Sequence, residues 1–328
     1  MNGKALFVSG LACAFLGGCH LENTDEVDQF REAVPTADSV AVDGPDTTGT
    51  SGRRAASGAR GALTDAPATS GPAYWYTFTR DVRDGVNVVT AVVLVTVGLV
   101  VHTQPSSVSE DQAVWGPYDG DALDPVTWRL TVTRIGDHHY RYVVDGRREA
   151  DKNGAFLSVL DGEGYDRQSP SHGDGTFRLD LDHSKILDPS RHANDSGTVT
   201  IVHDLPPDIG RRVDALPRTI TATVDPQTGE TLVIGSVANA DRTGSLDVSA
   251  VVDIDEPKNG VNEDVSIGSR WRETGAGRSD ITIAGGSLPA TIAAVDATEC
   301  WGEDFSRVFY MDSVGSKPTE GDESLCAY

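Results

Sequence analysis

Cys300, in ECWGEDF, and Cys326, in SLCAY, carry the first chemistry that can be read without a fold. In an oxidising compartment two such thiols pair, and the chain-entropy model gives the loop they close roughly 3.5 kcal/mol. Unpaired or metal-binding thiols are the alternative. The acidic turns come next. Glu149-x-Asp151-x-Asn153-Gly154 has the first half of a Ca²⁺ loop, with oxygen ligands at alternate positions and Gly at the bend. The position that needs a bidentate Glu is Leu160, with Asp161 one residue late, and the flanks read as strands. A plain Asn-Gly hairpin is the better reading, so no metal and no cofactor is expected. Asp119, Asp121 and Asp124, like Asp161, Glu163 and Asp166, are acidic turns of the same kind.

His138-His139 follows Asp137, and adjacent strand residues point to opposite faces, which does not suit one metal. His172, Asp174, Asp182 and His183 are near neighbours in sequence, as chance provides in a chain this acidic. There is no Gly-x-Ser-x-Gly elbow, His-Glu-x-x-His pair, phosphate-binding Gly loop or zinc-binding Cys cluster. A carboxylate pair for glycoside hydrolysis has many acids to draw on, but no spacing singles one out. Trp75, Trp115, Trp128, Trp271 and Trp301 are dispersed, and core packing is their default reading.

The chain has 328 residues, with 27 Lys+Arg against 50 Asp+Glu and a formal net charge of -23. A phosphate backbone needs a basic footprint, so nucleic acid is not an expected partner.

The N-terminus supplies a different thiol. Residues 1–19 read MNGKALFVSGLACAFLGGC, one Lys before an apolar run from Ala5 to Leu16. That run is shorter than the roughly 20 residues of a membrane-spanning helix and fits a secretory signal. Leu16-Gly17-Gly18-Cys19 resembles the bacterial lipobox. The resemblance implies acylation of Cys19, cleavage between Gly18 and Cys19, and stable membrane attachment by two or three acyl chains such as palmitate. His20, where an Asp would signal retention, favours the outer over the inner membrane.

These features divide the chain into a signal peptide over 1–18, a lipid-anchored tether over 19–73, and one β-rich domain over 74–328. Within the tether, Val27, Phe30 and Val34 at helical spacing predict a short helix over 24–34. Residues 35–73 hold no aromatic residue and are rich in Gly, Ala, Ser, Thr and Pro, which predicts a flexible stretch. Tyr74 to Phe78 reads as a strand-like lead-in. The apolar run over 86–101, with Asp84 as cap, predicts a buried helix. From Trp115 onward apolar and polar residues alternate, as in Trp128-Leu130-Val132, Val199-Ile201 and Leu246-Val248-Ala250. Period two with turn residues between the runs predicts about ten to twelve antiparallel strands in one curled sheet or barrel. The helix should pack on or inside it, and the cysteine pair should pin the tail.

The stretches FREAVPT, AVWGPYDGDALDPVTWRLTV, RWRETGAGRSD and ATECW to the terminal Cys-Ala-Tyr resemble lipoproteins of myxobacteria-like bacteria. That resemblance covers most of residues 24–328 and implies an envelope location, with no catalytic residue to carry over. The expectation is a lipid-anchored envelope protein with a structural or binding role, whose partners are the membrane and a hydrophobic ligand or envelope protein. Two alternatives are a carrier holding an acyl chain near Val93, Val97 and Trp128, and an envelope hydrolase.

Overall fold

The computed structural model describes residues 24–45, 71–119, 125–193, 195–207, 218–225, 230–255 and 257–328. The signal peptide, Gly18, Cys19, Asp121 and Asp124 lie outside them. Helix α1 (Thr24–Glu32) precedes a long α2 (Tyr74–Val101), and a fifteen-strand antiparallel sheet follows. The strands are β1 (Ser107–Ser109), β2 (Gln112–Asp119), β3 (Val126–Gly136), β4 (His139–Arg148), β5 (Leu157–Ser169) and β6 (His172–Asp180). After α3 (Leu181–Leu187) come β7 (Thr198–Leu205), β8 (Arg218–Asp225), β9 (Thr231–Ala238), β10 (Gly244–Val252), β11 (Glu263–Trp271) and β12 (Gly277–Gly285). The last are β13 (Ala294–Trp301), β14 (Arg307–Asp312) and β15 (Glu320–Gly321).

Spatial order equals chain order from β1 to β15, and the sheet curls without closing. Both edges are very short strands, which leaves little unpaired backbone for another chain to pair with. The strands exceed the expected ten to twelve because the edge strands are too short to show a period. In β5 and β6, moreover, several inward positions are Gly.

Helix α2 runs along the inner face of the sheet, against β12 and β13 near its start and β3 near its end. Its buried stripe is Trp75, Thr79, Val82, Val86, Thr90, Leu94, Val97 and Val101, spaced three or four residues apart. The stripe begins at Trp75, so Tyr74 to Phe78 is helix and not the expected lead-in strand, and the helix starts twelve residues before 86. Two threonines can lie in the stripe because Thr79 Oγ1 donates to the Trp75 carbonyl (2.7 Å) and Thr90 Oγ1 to the Val86 carbonyl (3.1 Å). No acidic residue stands in the first turn. Glu299, from β13, takes that role: its carboxylate accepts the Trp75 N–H at 2.5 Å. At the far end Arg31 of α1 donates to the carbonyls of Val101 (3.0 Å) and Thr103 (3.1 Å).

The flexible reading of 35–73 needs correcting over its first part. Residues 35–45 pack on the domain, with Val40 and Val42 buried. Asn87 of α2 pairs with Val42 as a strand would, accepting its N–H at 2.7 Å and donating to its carbonyl at 2.9 Å. Arg218 ties Asp43 (2.5 Å) to the start of β8. Composition missed this strap because two valines and one helix-borne amide suffice to order it. Residues 46–70 of the tether lie outside the described residues.

Cys300 and Cys326 are bonded, with Cα atoms 5.4 Å apart, which joins the C-terminal tail to β13.

Candidate functional site

The residues with a recognisable chemical pattern do not converge. Asp151 sits in the turn between β4 and β5, where its carbonyl accepts the Gly154 N–H (3.0 Å), and with Asn153 it is exposed to solvent. Among the described residues no three His, Cys, Asp or Glu side chains are grouped to hold a metal ion. His139 stacks on Tyr165, ring centres 4.2 Å apart, while His138, at φ 48°, places its Nδ1 3.3 Å from the Arg167 carbonyl. His183 Nδ1 lies 2.7 Å from the Ser158 carbonyl, on a different element from His172. Asp161 is held by Arg141 through two bonds (3.0 and 2.6 Å), and Glu163 accepts the Tyr165 hydroxyl at 2.8 Å. Trp75, Trp115, Trp271 and Trp301 are core residues, not a sugar platform. Val97 is buried in the main core, and Val93 and Trp128 pack against it, so α2 itself lies along the inner face that an acyl chain would need.

A different set of side chains does meet. Along the inner face the register places Tyr140, Gly164, Gly175 and His203 in one row across β4 to β7. The next row is Tyr142, Gly162 and Phe177. The glycines are required for space. A Cβ on Gly164 would come within 2.8 Å of Arg167 Cγ, and one on Gly175 within 2.7 Å of His203 Nε2. Into that room β5 sends Arg167, from the irregular stretch between Tyr165 and Ser169 where its register with β6 shifts. Its backbone is fixed by the His138 carbonyl, which accepts the Arg167 N–H at 3.1 Å.

The result is a buried trio: Tyr142 (0% exposed), Arg167 (2%) and His203 (2%). Neither the Tyr142 hydroxyl nor any guanidinium nitrogen of Arg167 has a hydrogen-bond partner among the described residues, while the His203 ring is approached by the Gly173 backbone. Native interiors rarely leave such groups unmet, and a buried charge is the most costly case. Burial pulls the Arg167 guanidinium below its ordinary pKa, with Tyr142 and Asp174 acting in the opposite sense. Asp174 is no ion-pair partner, because it is exposed on the outer face opposite Asp204. Burial pushes the Tyr142 phenol well above its usual range. Burial, and then the nearby Arg167 charge, bring His203 down to about 4.

Arg167 also lies at the floor of a surface recess of about 610 Å³ lined with it by Gln29, Glu32, Arg134, Asp137, His138 and Tyr140. One wall is α1, held there by the Arg134 to Gln29 hydrogen bond (2.8 Å) and by Phe30 packed edge-on against Tyr140. Arg134 lies over the Phe30 ring at 5.3 Å. None of the trio stands in a spacing or motif that the sequence marks as chemistry. The usable signal was the run of inward glycines at 162, 164 and 175, which marks vacated space in otherwise apolar strands.

No protein-family model, curated protein or solved structure matches this chain.

Proposed function

We propose that the protein is a lipid-anchored lipoprotein of the bacterial cell envelope that works by binding and not by catalysis. One observation carries the binding half: the buried, partnerless guanidinium of Arg167 lines one recess, with Tyr142 and His203 packed near it in the interior. Tyr142 keeps its proton far above neutrality and His203 stays neutral down to about 4. A general acid or base is most effective with its pKa near the working pH, so this pair suits holding a ligand better than moving protons.

The anchor half rests on Leu16-Gly17-Gly18-Cys19, with the outer membrane as the proposed destination. The packing of α1 adds a geometric consequence. Thr24 is five residues beyond Cys19, a span of at most about 18 Å. Acylation of Cys19 therefore holds α1 and the recess against the membrane, with no long leash between them.

Fractionation and intact mass test the anchor. Wild-type protein should carry acyl mass on Cys19, and Cys19→Ala should leave the membrane fraction without it; membrane attachment that survives the substitution overturns the anchor. For binding, thermal unfolding of detergent-solubilised protein should respond to at least one member of a small-molecule library in a concentration-dependent way. A library without a responder overturns the binding role.

A further inference from the structure

Resting on the binding role just proposed, we infer that Arg167 is the anchor for a small carboxylate, whose remaining atoms fill the recess beside α1. One observation and two physical arguments lead there. The guanidinium is a permanent cation, 2% exposed, with no hydrogen-bond partner and no ion-pair partner within 4 Å among the described residues. Ordered water meets hydrogen bonds but leaves a charge uncompensated, whereas an anion meets both needs. The planar guanidinium fork matches a carboxylate through two parallel N–H···O bonds.

The rim decides between kinds of anion. Glu32 and Asp137 line the recess together with one half-buried cation besides Arg167, Arg134. Two carboxylates at the mouth repel a dianion such as phosphate, but they accept a ligand whose far end is an ammonium or a hydroxyl. Carboxylate below and acids above select a monoanion or a zwitterion. The volume of about 610 Å³ lies within the usual range for small-molecule sites.

The guanidinium nitrogens are shielded from solvent, so entry requires the recess wall to open. Helix α1 is the element able to do so. Nine residues do not sustain a helix in water, and its position depends on tertiary contacts such as Arg134 to Gln29 and Arg31 to Val101.

The experiment is calorimetric titration and thermal unfolding of the detergent-solubilised full-length protein at neutral pH, with acetate, glycine, inorganic phosphate and sulfate as probes. Acetate and glycine should bind with roughly millimolar Kd, within the ceiling for ligands this small, and glycine more tightly because its ammonium meets the rim acids. Arg167→Lys keeps the charge and loses the fork, and should weaken acetate at least tenfold. Arg167→Met should abolish the response while still unfolding in one cooperative step. Carboxylate binding that survives Arg167→Met overturns the assignment. Phosphate or sulfate binding more tightly than either carboxylate, with that binding lost in Arg167→Met, overturns the carboxylate class and leaves the binding role standing. Library responders that are insensitive to Arg167→Met, with no probe bound, would place the binding elsewhere and overturn this site alone. A protein answering to neither probe nor library removes both readings.

Discussion

Two polar interiors lie under the same curled sheet and are finished differently. Across β11 to β14, Thr79 of α2 bonds Ser269 (2.7 Å), Ser269 bonds Ser279 (2.7 Å), and Glu299 accepts from Trp75 and from Arg307. Glu299 is 0% exposed, yet both its oxygens are used. Across β4 to β7, Tyr142 and Arg167 are as deeply buried and use none of their side-chain donors. Equal burial with opposite satisfaction separates two roles. A completed network fixes α2 in place and specifies the fold. An incomplete one containing a cation destabilises the free protein and is relieved when a partner arrives.

The largest expected effect lies at the completed end. Glu299→Ala removes the buried one of the two carboxylate partners of Arg307, leaving Glu320 at 2.9 Å, together with the cap of α2, and should lower stability by about 3–5 kcal/mol in urea unfolding. A loss below 1 kcal/mol would erase the contrast between the two regions. At the same end, reduction or Cys300→Ser with Cys326→Ser frees a 26-residue separation and should cost about 3.5 kcal/mol. The midpoint should then coincide with that of wild-type protein measured in reductant.

The unfinished end should show itself through pH. His203 is neutral down to about 4 in the folded chain, while the unfolded chain takes up its proton near 6.5. Below pH 6.5 the unfolded state therefore binds more protons. Stability falls as pH drops towards 4, by at most about 3 kcal/mol. Asp174, raised from its ordinary value by partial desolvation and then by its neighbour Asp204, acts in the opposite sense, so the wild-type and His203→Leu curves must be subtracted. Identical slopes for the two proteins between pH 6.5 and 4 would contradict a buried neutral His203. The acid limb of Asp312, brought down to about 2 largely by hydrogen bonds from the Ser316 to Lys317 backbone and the Ser316 hydroxyl, falls below that window.

The smallest effect has the most diagnostic sign. Arg167→Met should stabilise the unliganded protein by about 1–3 kcal/mol, because it deletes an uncompensated charge and keeps the stem that lies over Gly164. Glu299→Met should do the reverse, since its carboxylate is fully engaged. Destabilisation by both substitutions would make Arg167 an ordinary structural residue.

Much of the β architecture was legible because period two survives wherever inward positions are Val, Ile, Leu or Trp, as in β7, β10 and β11. It faded in β5 and β6, where inward Gly162, Gly164 and Gly175 carry no hydropathy signal. Those same glycines make room for the candidate site, so the weakest stretch of pattern and the most informative pocket are one place. The start of α2 was misread because Tyr74 to Phe78 suits a strand by composition. Only the stripe continuing from Trp75 through Thr79 to Val82 identifies it as helix.

By itself the chain's order of residues determined the antiparallel class, the acidic character, the α1 stripe of Val27 and Phe30, and the two late cysteines, since each follows from local spacing or composition. Tertiary structure alone decided that Glu299 would cap a helix 224 residues away, that residues 35–45 would strap onto α2, and that Tyr142, Arg167 and His203 would share one buried space. Those outcomes depend on strand register across a curled sheet. Register sums many pairwise choices along the chain, and no single segment encodes it.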